Sequence, residues 1–156
     1  MLKLAKIIGT SFGFGYAPVA PGTFGTFFGV LIYLAIQFTF PEKMNPLLLV
    51  LIVVGTIVGT WCCKITEPEW GHDSGKIVLD ESVGLWITLL FVPFNWWIVL
   101  AAFVLFRFYD ILKPLGIKRI DEGMHSPASV MLDDVLAGFY AWLTLQAILW
   151  IQQSYF

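Results

Sequence analysis

Long uncharged apolar runs, broken by short polar turns, leave this chain few folds to adopt. Residues 24–40, 47–63 and 82–106 carry no charged side chain, and residues 130–151 carry only an aspartate pair near their start. In a bilayer the backbone of such a run can satisfy its polar groups only as a helix or in a closed barrel, and about 17–25 residues suits a helix. At 58% hydrophobic and 13% charged, the 156 residues are far more apolar than a soluble domain. The expected fold is therefore all-α: one domain, an integral membrane bundle of four to five membrane segments, with an interfacial N-terminal segment. That segment, MLKLAKIIGTSFGFG, is too short in its apolar core for a signal peptide. It reads as an amphipathic surface helix with Lys3 and Lys6 toward headgroups.

Composition also excludes. A net charge of −2 leaves no basic surface for nucleic acid. Cys62 and Cys63 are adjacent, which disfavours a disulfide and makes packing their expected role. Gly55 and Gly59 form a G-x-x-x-G, a mark of close helix packing.

The first two membrane helices are expected at Phe24–Phe40 and Leu47–Cys63, joined by a turn through Pro41 and Pro46. Residues 82–106 pose a choice, because Val92-Pro93-Phe94-Asn95 interrupts them. A single pass would strand Asp80-Glu81 on the face opposite Arg107. A hairpin turning at Pro93–Asn95 gathers the N-terminus, the Lys64–Lys76 loop and the Arg107–Arg119 stretch on one side, leaving only Lys43 beyond. Since lysine and arginine favour the cytoplasmic side, the hairpin is the better reading, although its first arm is short for a full crossing. The last helix is expected at Val130–Ile151.

The polar clusters then share one face. Residues 107–138 hold four basic and five acidic side chains between two apolar runs. Within FRFYDILKP, Arg107, Asp110 and Lys113 recur at steps of three and would share a helix face. Arg107 offers a planar fork for phosphate, Lys113 a mobile charge and Asp110 a hard oxygen ligand; alternatively Arg107 and Asp110 form a headgroup-level ion pair. Asp80-Glu81 and Asp133-Asp134 each stand at the head of an apolar helix, where one such doublet would be read as a cap. Two, with Asp73 and Asp110 on the same face, favour a divalent cation, and an all-oxygen set suits magnesium rather than zinc. The loop GFGYAPVAPGTFGT, residues 13–26, offers amides and hydroxyls that could cradle phosphate, or forms a turn without a ligand. His72 and His125 lie in polar loops, with solvated roles expected. Ser74, Ser126 and Ser129 have no base partner of the triad type.

GFGYAPVAPGTFGT, Asp73 followed by IVLDE, FRFYDILKP and MLDDVLAG, in this order and spacing, resemble the phosphatidylglycerophosphatase A family over residues 9–150. The resemblance implies an all-helical bacterial inner-membrane enzyme, its active face cytoplasmic, acting on a phospholipid in the bilayer. The implied reaction is magnesium-dependent removal of the terminal phosphate of phosphatidylglycerophosphate. It makes Asp73, Asp80, Glu81, Asp110, Asp133 and Asp134 candidate metal ligands, with catalysis among Asp80, Glu81, Asp133 and Asp134. Arg107 and Lys113, with Gly22, Thr23 and Thr26, become candidate substrate-binding residues. One departure is Ser126-Pro-Ala-Ser129 where many relatives are expected to have a glycine pair, which predicts a stiffer loop there.

Other readings fit less well. The spaced-aspartate motif of CDP-alcohol phosphatidyltransferases is absent, as are the motifs of histidine-dependent lipid phosphatases. An ion- or proton-coupled transporter would carry polar groups near the bilayer midplane, whereas here the charges stop at helix ends. A structural subunit would leave four polar clusters on one face unexplained. The residues do not fix the oligomeric state.

Overall fold

In the computed structural model, residues 1–114 and 126–155 are described; His125 and the Lys118-Arg119 pair fall outside them. Among the described residues six α-helices follow in order: α1 (Leu2–Gly9), α2 (Pro21–Thr39), α3 (Met44–Trp70), α4 (Leu79–Thr88), α5 (Trp96–Leu112) and α6 (Pro127–Tyr155). Of these, α2, α3 and α6 are long and apolar enough to cross a membrane. The hairpin forms as expected: α4 runs in, the chain turns over Leu89–Asn95, and α5 returns. At 10 residues α4 is only about 15 Å long, half the hydrocarbon thickness of about 30 Å, so it enters without crossing.

A turn inside a bilayer must satisfy its own backbone. Here neighbouring side chains do so. Trp142 Nε1 donates to Leu90 O at 2.8 Å, Gln146 Nε2 to Phe91 O at 3.4 Å, and Phe91 N donates to Asn45 Oδ1 at 2.9 Å. Asn95 then caps α5, its Oδ1 accepting from Trp97 N.

Among the helix ends that differ from the sequence expectation, three have a clear local reason. α2 begins at Pro21, since proline at the first helical position has a preset φ and no N–H to waste. Gly22, Thr23 and Thr26 are therefore on the first turns of a helix, not in a loop. α3 continues past Cys63 to Trp70 despite Pro68, so Glu67 and Glu69 are helical and the polar loop is confined to residues 71–78. That extension is held by α1: Ala5 and Gly9 are buried, Gly9 abuts Cys62, Lys6 pairs with Glu69, and Lys6 and Lys76 both lie 5.1 Å from the Trp70 ring centroid. Cys62 and Cys63 are free thiols packed in this contact. α6 starts at Pro127, so Ser126-Pro-Ala-Ser129 is a helix start and not the stiff loop expected. Ser126 and Ser129 exchange backbone-to-hydroxyl bonds across it, at 3.4 and 3.3 Å.

Small residues bring α4 against both neighbours. Ser82 Oγ donates to Gly25 O (2.8 Å) and Trp86 Nε1 to Gly29 O (3.0 Å), across the glycine face of α2. On the other side Gly138 packs directly on Gly84, and Thr88 Oγ1 reaches the carbonyls of both, at 3.0 and 3.3 Å. A Cβ at Gly138 would overlap the Gly84 carbonyl oxygen and come within 2.9 Å of its Cα, and backbone cannot move aside as a flexible side chain can. Gly138→Ala is expected to destabilise by about 1–3 kcal/mol. Thermal unfolding in detergent checks this, with Gly75→Ala, which meets nothing within 4 Å, expected to be neutral.

Candidate active site

The Gly84–Gly138 contact brings two acidic doublets together. Asp80 and Glu81 occupy the first turn of α4, while Asp133 and Asp134 lie nearly two turns inside α6. Asp80, Asp133 and Asp134 are 7%, 5% and 4% exposed. Ligand oxygens of Asp80, Glu81 and Asp134 all lie within 4.8 Å of one another. Burial raises the Asp80 carboxyl well above the usual carboxylate range, and the charges of Glu81 and Asp133 add to this. Burial likewise pushes Glu81 up to about 8; the Asp134 and Asp110 charges raise it further, while a hydrogen bond with Asp80 and the Arg107 charge oppose the rise. Carboxylates this close, two of them buried, repel one another when ionised, and a bound cation would offset that repulsion.

Asp133 points elsewhere. Neighbouring residues on a helix diverge by about 100°, and Asp133 Oδ2 accepts from Lys113 Nζ at 2.6 Å. Lys113 is the left-handed residue (φ 43°) that ends α5, which turns its side chain toward α6.

The expected Arg107–Asp110 face is present, with Asp110 Oδ2 at 2.6 Å from Arg107 Nη1 and Glu81 Oε1 at 4.0 Å. The short contact is off the N–H direction, so the pair attract without an aligned hydrogen bond. Among the described residues, the buried side-chain nitrogens and oxygens lacking a hydrogen-bond partner are Glu81 Oε2, Arg107 Nε and Arg107 Nη1. Buried polar atoms are rarely left so, and all three belong to this cluster.

Gly22 closes the cluster from α2. A Cβ there would overlap Glu81 Oε1 and stand 3.0–3.1 Å from the two terminal nitrogens of Arg107. Thr26 is fully buried and donates to Gly22 O at 2.9 Å, fixing the turn that carries Gly22. Thr23 lies on that same first turn, partly exposed. Asp73 is outside the three-carboxylate group. It takes a left-handed backbone (φ 52°) and lines a small cleft with Cys63, Glu67, His72 and Pro127. In that cleft His72 Nδ1 is 2.9 Å from Glu67 Oε1, a pairing invisible in the sequence because α3 was expected to have ended.

A dense carboxylate set beside an arginine whose buried Nε lacks a hydrogen-bond partner suits a divalent cation and a phosphate. The comparisons agree with the phosphate chemistry. Residues 7–149 match the family described as phosphatidylglycerophosphatase A. A Bacteroides thetaiotaomicron protein, provisionally named a phosphatidylinositol-3-phosphatase, is 42% identical over 95% of both chains. Proteins named phosphatidylglycerophosphatase A from Haemophilus influenzae and Escherichia coli are each 37% identical, over 95% and 85% of this chain and 90% and 76% of their own. No solved structure matches. With a family match across nearly its whole length, the chain belongs to the phosphatidylglycerophosphatase A family of phosphatases.

Proposed function

We propose that this protein hydrolyses the terminal phosphate monoester of phosphatidylglycerophosphate, giving phosphatidylglycerol and inorganic phosphate, with magnesium as cofactor. The observation that carries the reading is the meeting of the Asp80, Glu81 and Asp134 carboxylates beside Arg107, whose buried Nε lacks a hydrogen-bond partner. The donor set fits the ion: Asp80, Glu81 and Asp134 offer hard oxygens in one place, and Glu81 Oε2 lacks a donor. Magnesium held there would polarise the phosphoryl group and lower the pKa of water.

The chain's own residues do the rest. Arg107 presents the guanidinium edge that carries its partnerless Nε, a planar fork, to the phosphoryl oxygens, where charge builds during transfer. Gly22 leaves the space beside that fork open, and the Asp110 carboxylate holds the guanidinium in place. A carboxylate of the cluster accepts the proton of the attacking water, and the departing headgroup oxygen takes a proton from solvent as the P–O ester bond breaks. Lys113, bound to Asp133 beside Asp134, is a second candidate phosphate ligand. The lipid stays in the bilayer while its phosphate reaches the helix ends. We place the site at the cytoplasmic face of a bacterial inner membrane, on the lysine and arginine distribution.

A second headgroup is favoured by one observation, the name of the 42% identical relative, which makes a phosphorylated phosphatidylinositol the competing substrate. Phosphate release from phosphatidylglycerophosphate, phosphatidylinositol 3-phosphate and phosphatidic acid, in matched micelles, tests both. The proposal expects kcat/KM highest on phosphatidylglycerophosphate, and a preference for the inositol lipid overturns it.

Two further outcomes follow from the cluster. Magnesium added to chelated protein raises its thermal midpoint, by about 2.7 kcal/mol of stability at a hundredfold excess over Kd. Gly22→Ala lowers kcat by about 10²-fold with little loss of stability, because its methyl displaces Glu81 and Arg107 and not the core. Steady-state kinetics beside a melting curve checks that split.

A further inference from the structure

α2 and α5 meet near the site, at Gly22 and Arg107, and again at the far end, where the Phe38 and Trp96 rings lie 6.2 Å apart. Between them runs an open apolar groove of about 330 Å³, lined by Phe27, Val30, Trp96, Val99, Leu100 and Phe103. Its two walls lead to the candidate active site. On α5, Trp96, Leu100 and Phe103 follow Arg107 at steps of four, three and four, one continuous helical stripe. On α2, Phe27 and Val30 follow Thr23 at steps of four and three. At the head of the groove stands the contact between Gly22 and Arg107.

We propose that this groove holds an acyl chain of the lipid substrate, an inference that rests on the lipid-phosphatase reading. Length supports that occupant. From Arg107 to Trp96 the stripe spans about 16 Å along the helix, close to the roughly 15 Å depth of one leaflet. A lipid whose phosphate meets Arg107 must send its chains down from that point, and this groove is aligned with it. A larger apolar groove of about 460 Å³ lies between α2 and α3, lined by Ile36, Thr39, Phe40, Leu47 and Val50. It lies at the opposite end of α2, beyond reach of Arg107, and serves as the control.

The test fills each groove and compares two substrates that share a headgroup: long-chain phosphatidylglycerophosphate in micelles and its water-soluble deacylated form. Val30→Trp and Leu100→Trp should raise KM for the long-chain substrate about tenfold, the cost of roughly two methylenes of lost burial, and leave turnover of the deacylated form unchanged. Val50→Trp should change neither. An unaltered long-chain KM, or equal losses on both substrates, overturns the groove while leaving the phosphatase reading intact. If wild-type protein releases phosphate from neither substrate, the phosphatase reading fails and the groove's occupant with it. A wild-type measurement avoids reliance on variants that fold poorly. Phosphatidylglycerophosphate with a diazirine midway along one chain should label residues 27–30 and 96–103, and unlabelled substrate should suppress it. Label spread evenly over the outer face of α3, or indifferent to competitor, contradicts the proposal.

Discussion

Asp134→Asn is expected to lower kcat by about 10³-fold or more while the bundle stays folded. Asp134 is 4% exposed, and asparagine matches its size, so no cavity opens. What disappears is one of three carboxylates whose oxygens lie within 4.8 Å of one another. In chelated protein that loss relieves repulsion among buried charges, so the unfolding midpoint should hold or rise. With magnesium present, the variant should lose the stabilisation that wild type gains. A metal site commonly supplies several kcal/mol to transition-state charge, which sets the scale of the rate loss. Asp133→Asn offers a contrast from the next residue: its carboxylate faces Lys113, so a smaller kcat effect is expected. Equal losses in the two variants would mean that the doublet acts as a unit.

Arg107→Lys should cost about 10²-fold in kcat, although charge is kept. Lysine is a point donor on a flexible stem, whereas the guanidinium offers parallel donors in a fixed plane. In this structure Nε is buried without a hydrogen-bond partner, and it has no counterpart in lysine. The Asp110 contact would survive in part, so folding should be little affected. Kinetics and a melting curve on the same preparation separate the two effects. A lysine variant with wild-type kcat would remove the fork from phosphate recognition and leave Arg107 as a counter-ion to Asp110 and Glu81.

Much of this architecture was legible in the sequence where single residues carry the signal. Pro93 and Asn95 break an apolar run, and the charges on either side agree on a hairpin, which the structure shows as α4 and α5. The ends of α3 and α6 were not legible, because the signals there are ambiguous. Lys64, Glu67, Pro68 and Glu69 resemble a loop, yet the helix persists because α1 packs against it through Gly9 and Lys6. Ser126-Pro127 fits a loop as well as a helix start, and only the reciprocal Ser126–Ser129 bonds decide it.

At the site, the step of three between Arg107 and Asp110 was a local pattern and correctly placed them on one face. Which carboxylates converge was not local information. Asp134 meets Asp80 and Glu81 because Gly84 and Gly138 allow their helices into backbone contact, 54 positions apart in sequence. Adjacent residues diverge by about 100° on a helix, and in the interior of α6 this turns Asp133 to Lys113 while Asp134 meets Asp80 and Glu81. Asp73 was grouped with the others for its charge and nearness in sequence, but the loop after α3 turns it into a separate cleft.

Metal dependence tests the central claim most directly. Wild-type protein would be freed of divalent ions with chelator, and phosphate release from phosphatidylglycerophosphate followed before and after magnesium is restored, with Asp134→Asn run in parallel. The account predicts no turnover in chelator, recovery of wild type with magnesium, and no recovery of the variant. Full turnover in excess chelator, or an Asp134→Asn enzyme that recovers as wild type does, would contradict it.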